Sequence, residues 1–123
     1  MPIEELRAYC LSKNGVTESM RFDDKVLVFK VANKMFALAS IVDFSYVNLK
    51  CNPEIAIELR ADYEEITPGY HMSKKHWNSV SVKGNLSTKM IIKLIYDSYN
   101  LVVASLTKKL QNELRAQKGE QHT

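Results

Sequence analysis

The chain has 123 residues, 46% hydrophobic and 25% charged, the proportions of one ordinary globular domain. A domain of that length buries roughly two-thirds of its unfolded surface, so a disulfide framework or structural metal is not needed to hold a core. The 17 Lys and Arg against 14 Asp and Glu leave a formal charge of +3, a mild bias that names no partner by itself.

No run approaches the roughly 18 apolar residues of a membrane helix, and the early acids of Met1-Pro2-Ile3-Glu4-Glu5 lack the pattern of a secretory signal. Cys10 and Cys51 stand far apart without a CxxC, which points to a reducing cytoplasm. The phosphate loop, the dinucleotide fingerprint, the nucleophile elbow and HExxH are all missing.

Ile3, Leu6, Cys10 and Leu11 recur at helical spacing and predict a first helix over about 2–13, stopped at Asn14-Gly15. From Glu18 to Lys50 the period changes to two. Leu27, Phe29 and Val31 share one face, and Phe36 and Leu38 share a face of the next run. Turns at Asp23-Asp24 and Ala32-Asn33-Lys34 divide a meander of about four strands, closed by Val47 and Leu49.

Asn52 before Pro53 reads as an N-cap, with Ile55, Ala56, Ile57 and Leu59 as the apolar side of a short second helix. Thr67-Pro68-Gly69 predicts a turn, and His76 to Val82 a fifth strand ending at Gly84-Asn85. Ile91, Leu94, Ile95, Ser98, Val102 and Leu106 draw the stripe of a long helix able to cross a sheet. These elements predict an α+β fold of two layers, an antiparallel sheet of about five strands with helices on one face. One domain is expected over 1–109, with 110–123 a polar tail that is either a helical extension or disordered.

Charge is segregated along the chain. Residues 1–49 balance six bases with six acids, 50–65 set two bases against five acids, and 66–96 carry Lys74, Lys75, Lys83, Lys89 and Lys93 with no acid. The same stretch holds Tyr70, His71, His76 and Trp77, groups that accompany lysines on nucleic-acid surfaces. From charge alone, a solvated basic face is the simpler reading of these lysines.

At Pro68-Gly69-Tyr70-His71-Met72-Ser73-Lys74-Lys75-His76-Trp77-Asn78 the sequence resembles the MmcQ/YjbR family, whose members carry a similar PGYHxxKKHWN block. Phe29-Lys30-Val31 with Lys34-Met35-Phe36-Ala37-Leu38 is similar to the family's hairpin, Leu49-Lys50-Cys51-Asn52-Pro53-Glu54 to its LKCxPE segment, and Asp97-Ser98-Tyr99-Asn100-Leu101-Val102-Val103 to its DSYxLVV helix. The matches keep their order from about residue 3 to 109. The resemblance implies a compact α+β fold close in shape to secretion-chaperone-like domains, in a bacterial cytoplasmic protein described as DNA-binding through a double wing.

Those two lines lead to a non-enzymatic protein holding the DNA backbone. Lys74 and Lys75 are the expected phosphate contacts, Lys34, Lys50 and Lys83 the helpers, and His71, Trp77 and Asn78 the support of the loop. Five such contacts give a log K against log salt slope of about −4.5. No cofactor or metal is expected, since His71 and His76 have no second ligand pair to complete a zinc site.

Trp77 reads also as a core residue, Cys51 as a small buried hydrophobe and Cys10 as core. The rival reading is a protein-interaction or chaperone-like module, homodimeric or with another partner. It would use an apolar outer sheet face built from Val26, Val28, Met35, Ala37 and Ile41. A third places a small-ligand or enzyme site at Tyr70, His71, Lys74 and His76.

Overall fold

The computed structural model describes residues 1–121, with side chains placed through Gln117. Helix α1 (Ile3–Leu11) buries Leu6 and Cys10, and Gly15, in the left-handed region at φ 74°, turns the chain into the sheet. Strands β1 (Val16–Arg21), β2 (Val26–Val31), β3 (Lys34–Ser40) and β4 (Tyr46–Lys50) form the meander, followed by α2 (Pro53–Asp62), β5 (Ile66–Pro68), β6 (Trp77–Ser81), α3 (Thr88–Ala104) and α4 (Lys108–Gln121). The sheet is antiparallel in the order β1-β2-β3-β4-β6-β5. β6 lies between β4 and β5, so those two run parallel to each other and need the crossover that α2 supplies.

The alternation of each strand sorts its side chains between two faces. Leu27, Ala39, Val47, Val80 and Ile66 form one row across the sheet, all buried against the helices with Phe29, Val31 and Phe36. α3 lies across the middle of this face with Ile91, Leu94, Ile95, Ser98 and Val102 inward, as its spacing predicts. The row Ser19, Val28, Leu38, Asn48, Ser79 and Thr67 faces the other way, on the side without helices. Among the described residues no helix is long and apolar enough to cross a membrane.

Three expectations change. Phe36 and Leu38 do not share a face, because β3 bulges where Phe29 pairs with Ala37 and Lys30 with Met35. Phe36 is the extra residue and joins the helix-side core, while Leu38 turns to the open side with Val28 and Trp77. The sheet has six strands, since Ile66-Thr67-Pro68 pairs with β6 instead of only turning. Pro68 is tolerated because β5 is the edge.

Ile55 and Ile57 are 51% and 63% exposed, because two-residue spacing places them on different sides of a helix; Ala56 and Leu59 face inward instead. The polar tail is a separate helix as far as Gln121, and His122 and Thr123 lie outside the described residues. Thr107 starts it, its Oγ1 accepting from the Leu110 N–H. Gln111 Nε2 donates to the Val103 and Leu106 carbonyls and so satisfies the end of α3.

Candidate nucleic-acid interface

The segment from Gly69 to His76 folds back over the open face through two successive turns. Gly69 N–H donates to the Trp77 carbonyl at 2.8 Å, and a Cβ on Gly69 would stand 2.7 Å from the Trp77 Cβ, so only glycine fits the approach. The Tyr70 N–H donates to Ser79 Oγ, Asn48 Nδ2 donates to the Tyr70 carbonyl, and Ser79 Oγ donates to Asn48 Oδ1. This buried polar chain fastens the segment to β4 and β6. His71 follows at φ 58°, its ring 4.0 Å from that of Tyr70, and Tyr70 meets Tyr46 edge-on at 6.1 Å.

The Ser73 carbonyl then accepts from both His76 and Trp77 N–H groups, closing a turn that leaves Lys74 and Lys75 exposed. Trp77 is 8% exposed and packs on the open side with Val28 and Leu38 under Met35 and Met72. It fixes the lysine turn from below and has almost no surface to offer a base. Asn78 is 2% exposed and faces the helices, away from the turn.

The pairing register places the remaining candidates. Lys50 pairs with Trp77, and the Cys51 N–H donates to the His76 carbonyl, so the end of β4 abuts the lysine turn. Lys30, on the open face opposite Met35, stands at the same end. Sequence reasoning missed it; its parity with Val28 was the available signal. Lys34 is at this end too, at the Ala32–Asn33 hairpin tip, but it pairs with Val31 and starts out on the helix side.

Lys83 belongs to the opposite end, beyond Ser81, where its Nζ lies 2.8 Å from Asp43 Oδ1. The β1–β2 tip is also at that far end and carries Asp23 and Asp24, so it cannot be a phosphate-contacting wing beside the lysines. The two ends are about 17 Å apart for a six-residue strand.

Among the described residues the strands contain one carboxylate, Glu18, and it points to the helix side. Arg7 of α1 donates to it from Nε at 2.7 Å and holds its carboxyl below the usual range. Lys30, Lys50, Lys74 and Lys75 have no ion-pair partner among the described residues. The cysteines are not activated. Burial pushes the Cys10 thiol up to about 12 and raises that of Cys51, where Asp97 adds to the effect. No three His, Cys, Asp or Glu side chains gather as a metal site among the described residues.

A wide-open concavity of about 670 Å³ lies farther along the same open face, toward β5 and β6, between Tyr46, Tyr70, Glu64 and Glu65. Its two carboxylates make it a poor neighbour for phosphate.

A family model described as YjbR matches residues 11–101. The chain is 42% identical over 89 residues to the uncharacterized protein YbdF of Escherichia coli O157:H7, covering 72% of this chain and 73% of that protein. It is 36% identical over 104 residues to the uncharacterized protein YjbR of Escherichia coli K12, covering 84% and 88%. The crystal structure of Deinococcus radiodurans protein DR2400, a DUF419 domain, superposes with a TM-score of 0.85 at 36% identity, over 91% of this chain and 86% of that one. The match to the family model spans the strands, the lysine turn and most of α3, and by it this chain belongs to the YjbR family.

Proposed function

We propose that this protein is a non-enzymatic nucleic-acid-binding protein that holds the phosphate backbone of duplex DNA with one end of its open sheet face. The observation that carries the reading is the convergence of Lys30, Lys50, Lys74 and Lys75, distant in sequence, on one end of a face whose strands present no carboxylate. α1, α2 and α3 pack on the other face, so none of them is placed to enter a major groove alongside these lysines. Binding of this kind follows charge and spacing, not base sequence. The rival protein-docking reading rests on fewer residues than expected, since Val28 is buried with Trp77 and Ala37 faces the helices, while Ile41 is 44% exposed.

Four phosphate contacts give a log K against log salt slope of about −3.6. Fluorescence anisotropy of a labelled duplex over a salt series tests it. Lys74→Glu with Lys75→Glu is expected to flatten the slope to about half, since two contacts remain, while Lys83→Glu leaves it unchanged. Absence of binding at low salt, or an equal effect of Lys83→Glu, overturns the reading.

A further inference from the structure

Between the end of α1, α3 and α4, away from the open sheet face, lies a cavity of about 370 Å³. Its charged walls are Lys13 and Arg115. The carboxylates next to wall residues in sequence, Asp97 and Glu113, are not among them, and Asp97 is engaged by Lys93 at 2.6 Å. Lys13 is half-buried, and aromatic rings take the place of a carboxylate beside it: its Nζ lies 4.7 Å from the ring centroid of Tyr9 and 4.4 Å from that of Tyr96. Ring faces hold an ammonium in position without cancelling its charge. Arg115 Nη1 donates to Asn112 Oδ1 at 3.2 Å, a neutral partner, so the guanidinium keeps its charge as well. The walls between the two cations are pinned, because Tyr99 OH donates to the Asn14 carbonyl and Asn14 Nδ2 to the Leu114 carbonyl.

We infer that this cavity binds the phosphate monoester of a small hydroxylated molecule, such as a sugar phosphate, with its phosphate on Lys13 and Arg115. Two cations match the charge of a phosphate dianion, and a guanidinium fork with an ammonium supplies directed, charge-assisted donors to its oxygens. Ser12, Asn14, Asn100 and Gln111 add hydroxyl and amide groups to the walls, which suit the hydroxyls of a sugar better than an apolar body. At about 370 Å³ the cavity falls in the range of small-molecule sites, roughly 300–1,000 Å³, and exceeds what inorganic phosphate alone would fill. The lysine turn lies on the other face of the sheet, so this site does not depend on the DNA-binding reading.

The test is isothermal titration calorimetry of the full chain with D-ribose 5-phosphate at fixed ionic strength. Saturable one-to-one binding is expected, and Lys13→Gln and Arg115→Gln are each expected to raise Kd about tenfold or more. Lys109→Gln, at an exposed α4 lysine outside the walls, and Lys74→Glu with Lys75→Glu are expected to leave Kd unchanged. Ribose should not bind, and inorganic phosphate should bind at least about tenfold more weakly than the ester. No saturable binding, equal binding of inorganic phosphate, or equal weakening by Lys109→Gln overturns the inference. If Lys13→Gln does not fold, Arg115→Gln decides the matter alone, since Arg115 is exposed and its loss removes no core contact.

Discussion

Ser98 joins the long helix to the sheet at the point where the sheet fails. Pairing of β3 with β4 stops at Ala37 and Leu49, because the bulge carries Phe36 out of line. The hydroxyl of Ser98, fully buried, donates to the Phe36 carbonyl at 2.7 Å and accepts the Lys50 N–H at 2.9 Å, replacing the missing rung. Ser98→Ala strands both backbone groups and is expected to cost about 1–3 kcal/mol in urea unfolding. A loss below about 0.5 kcal/mol, the range of an ordinary surface change, would show that the rung is dispensable. The sequence put Ser98 on the inward stripe of the helix, but nothing in it named the two backbone atoms that the hydroxyl serves. Trp77 is a similar case: its burial was legible from its size, whereas the lysine turn it supports depends on where Gly69 to His76 folds back.

At the scale of elements, the break after Ala104 turns a polar tail into a fourth helix that reaches the start of the sheet. Asn14 Nδ2 donates to the Leu114 carbonyl at 3.2 Å, and the Asn14 carbonyl accepts from Tyr99 OH at 2.7 Å. The turn between α1 and β1 is thus held by both α3 and α4. Leu114 packs half-buried at the rim of the main core. Leu114→Ala is expected to lower stability by about 1–2 kcal/mol, below the 2–5 kcal/mol of a fully buried leucine. It should also speed amide exchange over 108–117; exchange and thermal midpoint both unchanged would mean that α4 only rests on the domain. The sparse apolar residues of this segment gave little reason to expect a docked helix, since its contacts are made by one leucine, the Gln111 amide and a backbone carbonyl.

For the whole molecule, the raised groups all act in one direction. Burial lifts Cys10 from 9.0 to about 12 and also raises Tyr99, Tyr46 and Cys51. In each the folded state keeps its proton to higher pH than the unfolded chain. The stability linked to Cys10 is therefore complete below pH 9.0 and is lost as pH rises toward about 12. Denaturant midpoints measured from neutral to alkaline pH are expected to fall from about pH 9, and Cys10→Ala, though less stable at neutrality, should show a shallower decline. A flat alkaline profile for the unaltered protein would remove buried thiol and phenol protonation from its stability. The lysine face is a property of this scale as well, since it gathers residues from three separated stretches of the chain.

The sequence by itself determined what is local: the inward stripes of α1 and α3, the Asn52 cap bonded to the Glu54 N–H at 3.0 Å, the Ala32–Asn33 hairpin turn and the two-layer α+β plan. Helical periodicity, capping and turn chemistry act over a few residues, so they can be read along the chain. Only the tertiary structure decided the face of each residue beyond the β3 bulge, the edge pairing of β5, and which lysines share a surface. Strand alternation is reversed by a single extra residue, and register is set by pairing partners distant in sequence. For that reason Lys83 stands beside Asp43 at the far end, Lys30 stands with the lysine turn, and Asn78 is buried on the helix side of the sheet.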